Sequence, residues 1–206
     1  MVKERIGVFG GAFNPLTMAH LFIAEHLAED YVDRVLFLPV ADDYPKPDLA
    51  PAQHRLAMLQ QVLGANELFL ISTLEIERQA ATFTYDSLKE LKAQFPQAEL
   101  YFIVGSDHLK TIHTWGRSQE LLAENRFILM VRGAEASATA ECRELLANSP
   151  HLQEYASHFR LCDDHPRSNL NSSLIRQRLA AGKSVRYLTD PQVIGYIDAW
   201  GLYKQE

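Results

Sequence analysis

Five short apolar runs, separated by stretches with helical spacing, limit what this chain of 206 residues can fold into. They cover residues 6–9, 34–38, 68–71, 100–104 and 127–131. Strands that alternate with helices in this way predict a parallel sheet with right-handed crossovers. The sequence therefore predicts an α/β fold, with a Rossmann-like parallel sheet and helices on both of its faces. The length suits a single domain over residues 1–206, whose C-terminal part (about 166–206) is helical.

Apolar spacing and capping residues predict where the main helices lie. One helix covers residues 52–63, and a second begins near Thr84 and runs to about Phe95. An alanine- and glutamate-rich stretch, 134–150, predicts a surface helix. A later helix covers 170–181, and Asp190 with Pro191 opens the last one. No strand is assigned in the region 134–165.

Composition and charge exclude several classes of protein. The chain is 47% hydrophobic and 22% charged, as is usual for a soluble globular protein. Its net charge of −6 argues against a general nucleic-acid binder. Cys142 and Cys162 lack metal-ligand spacing and are expected to be reduced thiols. No signal peptide is evident, and no apolar run approaches the roughly 20 residues of a membrane helix. We therefore expect a cytoplasmic protein with no membrane partner.

The stretch that follows the first apolar run has the features of a phosphate-binding loop. Gly10 and Gly11 are expected to let the backbone turn sharply and approach a ligand, and Pro15 pre-shapes the loop. Apolar spacing then becomes helical, which places Thr17 and His20 on one face of the first helical turn. Because free N–H groups and the helix dipole favour an anion at such a position, the stretch indicates phosphate chemistry.

These residues resemble the signature of the nucleotidyltransferases with an (H/T)xGH motif. The matching residues are Gly10, Gly11, Phe13, Pro15, Thr17 and His20. Ala19 replaces the usual glycine, and Asn14 stands where aspartate is common. The family transfers an adenylyl or cytidylyl group from a nucleoside triphosphate. The resemblance therefore implies that Gly10, Gly11, Phe13 and His20 bind ATP, and that Thr17 and His20 act at the α-phosphate.

A second helix start resembles the family's C-terminal ISSTxIR motif. It consists of Ser172, Ser173 and Arg176, which follow Asn171. Serine hydroxyls and an arginine fork suit phosphate oxygens, although the segment alone would also suit an ordinary capped helix. Together with the first motif, the resemblance implies that these three residues bind the β- and γ-phosphates of ATP.

Weaker matches resemble the bacterial nicotinate mononucleotide adenylyltransferases. They imply that Gly105 and Asp107 bind the ATP ribose, and that the acceptor is bound by Thr84, Tyr85, Trp115 and Arg132. Lys46 and one proline are all that remain of the branch's PPHK stretch, and Lys46 is expected to reach the phosphates. Thr17 replaces the branch's usual first histidine and is commoner in phosphopantetheine adenylyltransferases.

The resemblance implies that the protein joins nicotinate mononucleotide to the AMP part of ATP, releasing pyrophosphate and giving deamido-NAD for NAD biosynthesis. Mg²⁺ is expected to come with ATP, bridging its phosphates. Asp163, Asp164 and His165 are interpreted as a solvated loop, so no residue is predicted to bind a metal. Several alternatives stay open: a nicotinamide mononucleotide acceptor, another branch of the family such as the pantetheine-phosphate or cytidylyl enzymes, and a nucleotide-binding regulator without turnover. The sequence does not fix the oligomeric state.

Overall fold

The computed structural model describes residues 3–78, 83–132, 137–165 and 168–204, and contains one parallel sheet. The strands are β1 (Glu4–Gly11), β2 (Arg34–Pro39), β3 (Phe69–Ile71), β4 (Ala98–Gly105), β5 (Arg126–Met130) and β6 (Phe159–Cys162). The helices are α1 (Met18–Asp30), α2 (Ala52–Leu63), α3 (Leu74–Arg78), α4 (Thr84–Gln94), α5 (Ser118–Glu124), α6 (Ser137–Asn148), α7 (Ser172–Ala180) and α8 (Pro191–Trp200).

The six strands lie in the order β3-β2-β1-β4-β5-β6. β1 pairs with β4 in parallel, from Glu4 opposite Ala98 to Val8 opposite Phe102. The chain thus proceeds outward from β1 to β3, returns to β4 beside β1, and proceeds outward again to β6. This topology confirms the predicted α/β class, because each of the five apolar runs forms a strand.

The chain divides into two compact units. The first consists of Met1–Phe9 and Thr82–Arg167, and the second of Gly10–Ala81 and Ser168–Glu206. Ile6, Val8 and Phe127 belong to the core of the first unit, and Phe37 and Leu59 to the core of the second; all are fully buried. The single domain predicted for residues 1–206 stays a prediction. Within the part of the chain that the structure describes, no helix is long and apolar enough to cross a membrane.

Most of the predicted helices are confirmed, with small differences at their ends. α2 has the predicted bounds, and Asp190 caps α8 by accepting a hydrogen bond from the Gln192 N–H at 2.8 Å. α7 begins at Ser172 rather than at residue 170, because Asn171 is its capping residue. α4 begins at Thr84, but its capping position is Phe83, which offers no side-chain acceptor. The predicted helix 134–150 is α6, and residues 134–136 lie outside the described residues.

The sequence did not predict β6. This strand has only four residues, and Arg160 in its middle is exposed, so that no apolar run marks it. Its place beside β5 is stabilised by the ring of Phe159, which stacks on Phe127 with 4.5 Å between the ring centroids. Pairing with a neighbouring strand, which a local pattern does not show, thus completes the sheet.

Candidate active site

The loop after β1 turns at a different residue from the one the sequence indicated. Gly10 and Gly11 are the last residues of β1, and the positive φ of the loop, 44°, belongs to Phe13. A Cβ atom on Gly11 would lie 3.1 Å from the Phe13 ring. The prediction that the two glycines make the turn is therefore wrong. Gly11 instead leaves room for the Phe13 side chain against the backbone.

His20 is held at the start of α1 by reciprocal hydrogen bonds with Thr17. The Thr17 N–H donates to His20 Nδ1 at 3.0 Å, and Thr17 Oγ1 accepts from the His20 N–H at 3.3 Å. This is a capping box, which satisfies N–H groups that the helix cannot. Because Nδ1 accepts a hydrogen bond, the proton of the neutral imidazole is on Nε2. The Phe13 ring packs edge-on to the imidazole with 5.3 Å between centroids.

Thr17 and Phe13 are buried, which limits what they can contact. Thr17 is 0% exposed and Phe13 is 2% exposed. Both were predicted to contact ATP, yet their side chains in this structure pack on His20. In this structure both side chains therefore support the imidazole of His20.

The second motif meets the first loop directly, although the two are far apart in sequence. Ser172 Oγ donates to the Pro15 carbonyl at 2.8 Å. Arg176 Nη1 donates to the Asn14 carbonyl at 3.0 Å, and Arg176 Nη2 lies 3.5 Å from Ser173 Oγ. The N-terminus of α7 and the guanidinium of Arg176 are thus fixed to the loop that precedes α1.

Lys46 adds a further positive charge to this region. It lies in the segment 41–50, hereafter the Lys46 loop, and is exposed. Its pKa is nonetheless lowered, first by desolvation and then by the nearby charges of Arg176 and Arg55. Three cations therefore act on one another here, and an anion that bound among them would relieve their repulsion.

Arg55 is a site residue that the sequence analysis missed. It is 0% exposed, and Nε donates to the Ala50 carbonyl at 2.7 Å while Nη1 donates to the Ala12 carbonyl at 3.1 Å. Asp42 accepts from Nη2 at 3.2 Å. Burial is the first cause that lowers the pKa of Arg55. The only signal in the sequence is an arginine on the buried side of α2, where apolar spacing predicts a core residue.

The loop after β4 belongs to the first unit and carries the residues predicted for ribose. Arg132 Nη1 lies 3.2 Å from Asp107 Oδ2, and the Arg132 N–H donates to Ser106 Oγ at 2.9 Å. A side chain on Gly105 would collide with the Asp107 carboxylate. Glycine at this position therefore lets Asp107 and Arg132 pair over the backbone.

The residues of the first unit that were predicted to bind the acceptor differ in burial and in hydrogen bonding. Trp115 is half-buried, with its ring edge-on to His108 at a centroid distance of 5.4 Å. Tyr85 is 4% exposed, and its hydroxyl donates to Glu124 at 2.9 Å. The Tyr85 hydroxyl is thus engaged with Glu124, whereas Thr84 is the half-buried first residue of α4.

An α/β sheet with cations gathered at two helix N-termini is the arrangement of a nucleotidyltransferase, and a comparison with known families agrees. The model of the cytidylyltransferase-like family matches residues 8–178, so the chain belongs to that family. Solved structures share the fold. The nicotinic acid mononucleotide adenylyltransferase of Plasmodium falciparum, complexed with NaAD, has a TM-score of 0.76 at 23% identity and covers 97% of each chain.

Relatives along the whole length give the branch of the family. One from Dehalococcoides mccartyi, named "probable nicotinate-nucleotide adenylyltransferase", is 31% identical over 100% of both chains. One of the same name from Desulfitobacterium hafniense is 35% identical and covers 98% of this chain and 96% of its own. The chain is thus a member of the nicotinate-nucleotide adenylyltransferase group.

The lowered pKa of Lys46 predicts how anion binding depends on pH. Inorganic pyrophosphate should bind best while Lys46 is charged, and its affinity should fall as the pH rises through the pKa of Lys46. The fall should begin at a lower pH than an ordinary lysine would give, because the pKa of the free protein's Lys46 is lowered. Titration calorimetry at several pH values measures this. The matched control is Lys46→Arg, which stays charged and should flatten the profile; an equal slope in both proteins would contradict the assignment.

Proposed function

We propose that this protein transfers the AMP part of ATP to nicotinate mononucleotide, giving deamido-NAD and pyrophosphate. The observation that carries the proposal is the contact between the two motifs, in which Arg176 donates to the Asn14 carbonyl at 3.0 Å. That contact gathers a helix N-terminus, Arg176 and Lys46 around the loop that leads to His20. A triphosphate is the ligand whose charge and length suit such a cluster.

The phosphates of ATP are held, in this proposal, by the second unit. Arg176, Ser173 and Lys46 contact the β- and γ-phosphates, which leave as pyrophosphate. Ser172 has a different part, because its hydroxyl donates to the Pro15 carbonyl and so fixes α7 to the loop. Mg²⁺ arrives as part of the MgATP substrate, bound to the phosphate oxygens. Binding of the anion relieves the repulsion among the cations, which favours the bound state.

His20 acts at the α-phosphate. Its Nε2–H donates to a non-bridging oxygen, where negative charge grows in the transition state. Thr17 and Phe13 are positioning residues, because they orient the imidazole and are buried. An oxygen of the acceptor phosphate attacks the α-phosphorus, and the bond from that phosphorus to the β-phosphate oxygen breaks. The acceptor phosphate is already anionic, so no general base is needed and catalysis consists of positioning and charge neutralisation.

The first unit supplies the nucleoside and acceptor contacts in this proposal. The Asp107 carboxylate accepts hydrogen bonds from the ATP ribose, because Arg132 occupies only one of its two oxygens. Arg132, whose side chain is exposed, is a cation for the acceptor. Trp115 stacks on the pyridine ring, and Thr84 with the first N–H groups of α4 faces the substituent of that ring.

Removal of the His20 imidazole should slow turnover far more than it destabilises the fold, which loses the acceptor of the Thr17 N–H. His20→Ala should lower kcat by about 100- to 1,000-fold, because one donor to the transition state is lost. The measurement is steady-state pyrophosphate release with saturating ATP and nicotinate mononucleotide. His151→Ala, at an exposed histidine of the first unit, is the matched control and should turn over normally. Normal turnover by His20→Ala would remove His20 from the mechanism.

The substituent on the pyridine ring, a carboxylate or a carboxamide, distinguishes the proposed substrate from its amide. Donors at Thr84 and the start of α4 pair with a carboxylate, whereas the NH₂ of an amide would leave at least one donor unpaired. An unpaired buried group costs about 1–3 kcal/mol, or roughly 5- to 150-fold in selectivity. We therefore expect kcat/KM to be higher for nicotinate mononucleotide than for nicotinamide mononucleotide.

A panel of acceptors tests both that preference and the proposed function. Equal kcat/KM for the acid and the amide would contradict the donor argument. Turnover of phosphopantetheine alone would assign the chain to the other branch. Binding of ATP without turnover of any acceptor would show a nucleotide-binding regulator instead of an enzyme.

A further inference from the structure

Asn14 joins segments of the second unit that are remote in sequence. Its side chain is 0% exposed. Nδ2 donates to the Asp48 carbonyl at 2.7 Å, and Oδ1 accepts from the Ala50 N–H at 3.1 Å and from the Tyr203 hydroxyl at 2.7 Å. Its backbone carbonyl accepts from Arg176. One buried amide thus connects the loop before α1 to the Lys46 loop and to the C-terminal segment.

The Lys46 loop is held at both ends and exposed in between. Residues 48–50 are bound by Asn14, and the Ala50 carbonyl also accepts from Arg55. The other end of the loop is held at Asp42, where Oδ1 accepts a hydrogen bond from Arg55 Nη2 at 3.2 Å. Residues 42–48, which include Lys46, are exposed. The hydrogen bonds of Asn14 and Arg55 therefore decide where the Lys46 ammonium can reach.

Tyr203 is a fixed donor in this network. Burial raises the pKa of its hydroxyl, so the group stays protonated and donates throughout the ordinary pH range. The orientation of the Asn14 amide is fixed by its partners. Oδ1 accepts from two donors, the Tyr203 hydroxyl and the Ala50 N–H, and Nδ2 donates to the Asp48 carbonyl. An aspartate at position 14 would set a carboxylate oxygen against the Asp48 carbonyl, where asparagine donates.

We propose that Asn14 and Tyr203 are positioning residues for the transfer reaction, which place Lys46 at the phosphates of ATP by holding the Lys46 loop. The inference rests on the proposed function, which assigns Lys46 to those phosphates. The C-terminal segment thereby helps to position Lys46 through the hydrogen bond from Tyr203 to Asn14, without contacting ATP itself. This coupling also gives a reason for one departure from the family pattern, Asn14 where aspartate is common. Asn14 provides the N–H that this chain's own Lys46 loop requires at Asp48.

The test compares two tyrosine-to-phenylalanine changes that each remove one hydroxyl. Tyr203→Phe removes the donor to Asn14. Tyr196→Phe is the matched control, because the Tyr196 hydroxyl lies 3.0 Å from His54 Nδ1 and has no bond to the Lys46 loop. If the hydroxyls served stability alone, the two variants would behave alike in kinetics.

We expect Tyr203→Phe to raise the KM for ATP by about 3- to 10-fold, the effect of one lost hydrogen bond, while Tyr196→Phe leaves it unchanged. In the Lys46→Ala background, Tyr203→Phe should change the KM by a factor near one, because its effect passes through Lys46. Unchanged kinetics in Tyr203→Phe would overturn the inference. So would the same rise in both backgrounds, which would show that Tyr203 acts elsewhere.

Amide hydrogen exchange decides the structural step without any activity. The Ala50 N–H should exchange faster in Tyr203→Phe than in the wild type, and at the wild-type rate in Tyr196→Phe. Unchanged exchange in Tyr203→Phe would overturn the inference. If Lys46→Ala keeps the wild-type KM for ATP, the phosphate assignment of Lys46 fails and the proposed positioning role fails with it; faster exchange would then show only that Tyr203 holds the loop.

Discussion

The buried amide of Asn14 is the interaction on which the phosphate site depends. Its side chain and carbonyl together bond to three segments of the chain, and the side chain itself is 0% exposed. Buried polar groups stabilise a structure only when their partners are all in place. Loss of one partner therefore affects the others, so that the helix start of α7, the Lys46 loop and the C-terminus are set together.

Electrostatic repulsion explains why these hydrogen bonds are needed. The chain carries a net charge of −6, yet Lys46, Arg55 and Arg176 lie close enough for their charges to lower the pKa of Lys46. Such a group of cations would separate unless hydrogen bonds fixed it. The guanidinium of Arg55 donates its hydrogen bonds to backbone carbonyls and to Asp42, and these partners offset part of its charge. Lys46 and Arg176 remain for an anion, which supports a site arranged before the substrate binds.

Local patterns predicted the parts of the molecule that local forces determine. Apolar runs gave five strands, and capping residues gave the start of α8 and a start for α7 that lies two residues too early. β6 was missed because the exposed Arg160 interrupts it, and the turn was assigned to glycines although Phe13 has the positive φ. The roles of Arg55 and Tyr203 are set by distant partners, which include residues 43 and 189 positions away. Motif resemblance found Lys46 and Arg176, but tertiary contacts alone show what holds them.

The central claim is that this chain positions and neutralises its substrates and forms no covalent bond to them. The stereochemistry at the α-phosphorus tests that claim most directly. ATP with a single chiral sulfur substitution at the α-phosphate, turned over with nicotinate mononucleotide, should give a dinucleotide of inverted configuration, because the acceptor phosphate attacks in line. Net retention of configuration would show two successive displacements through an enzyme-bound nucleotide, and would contradict the account.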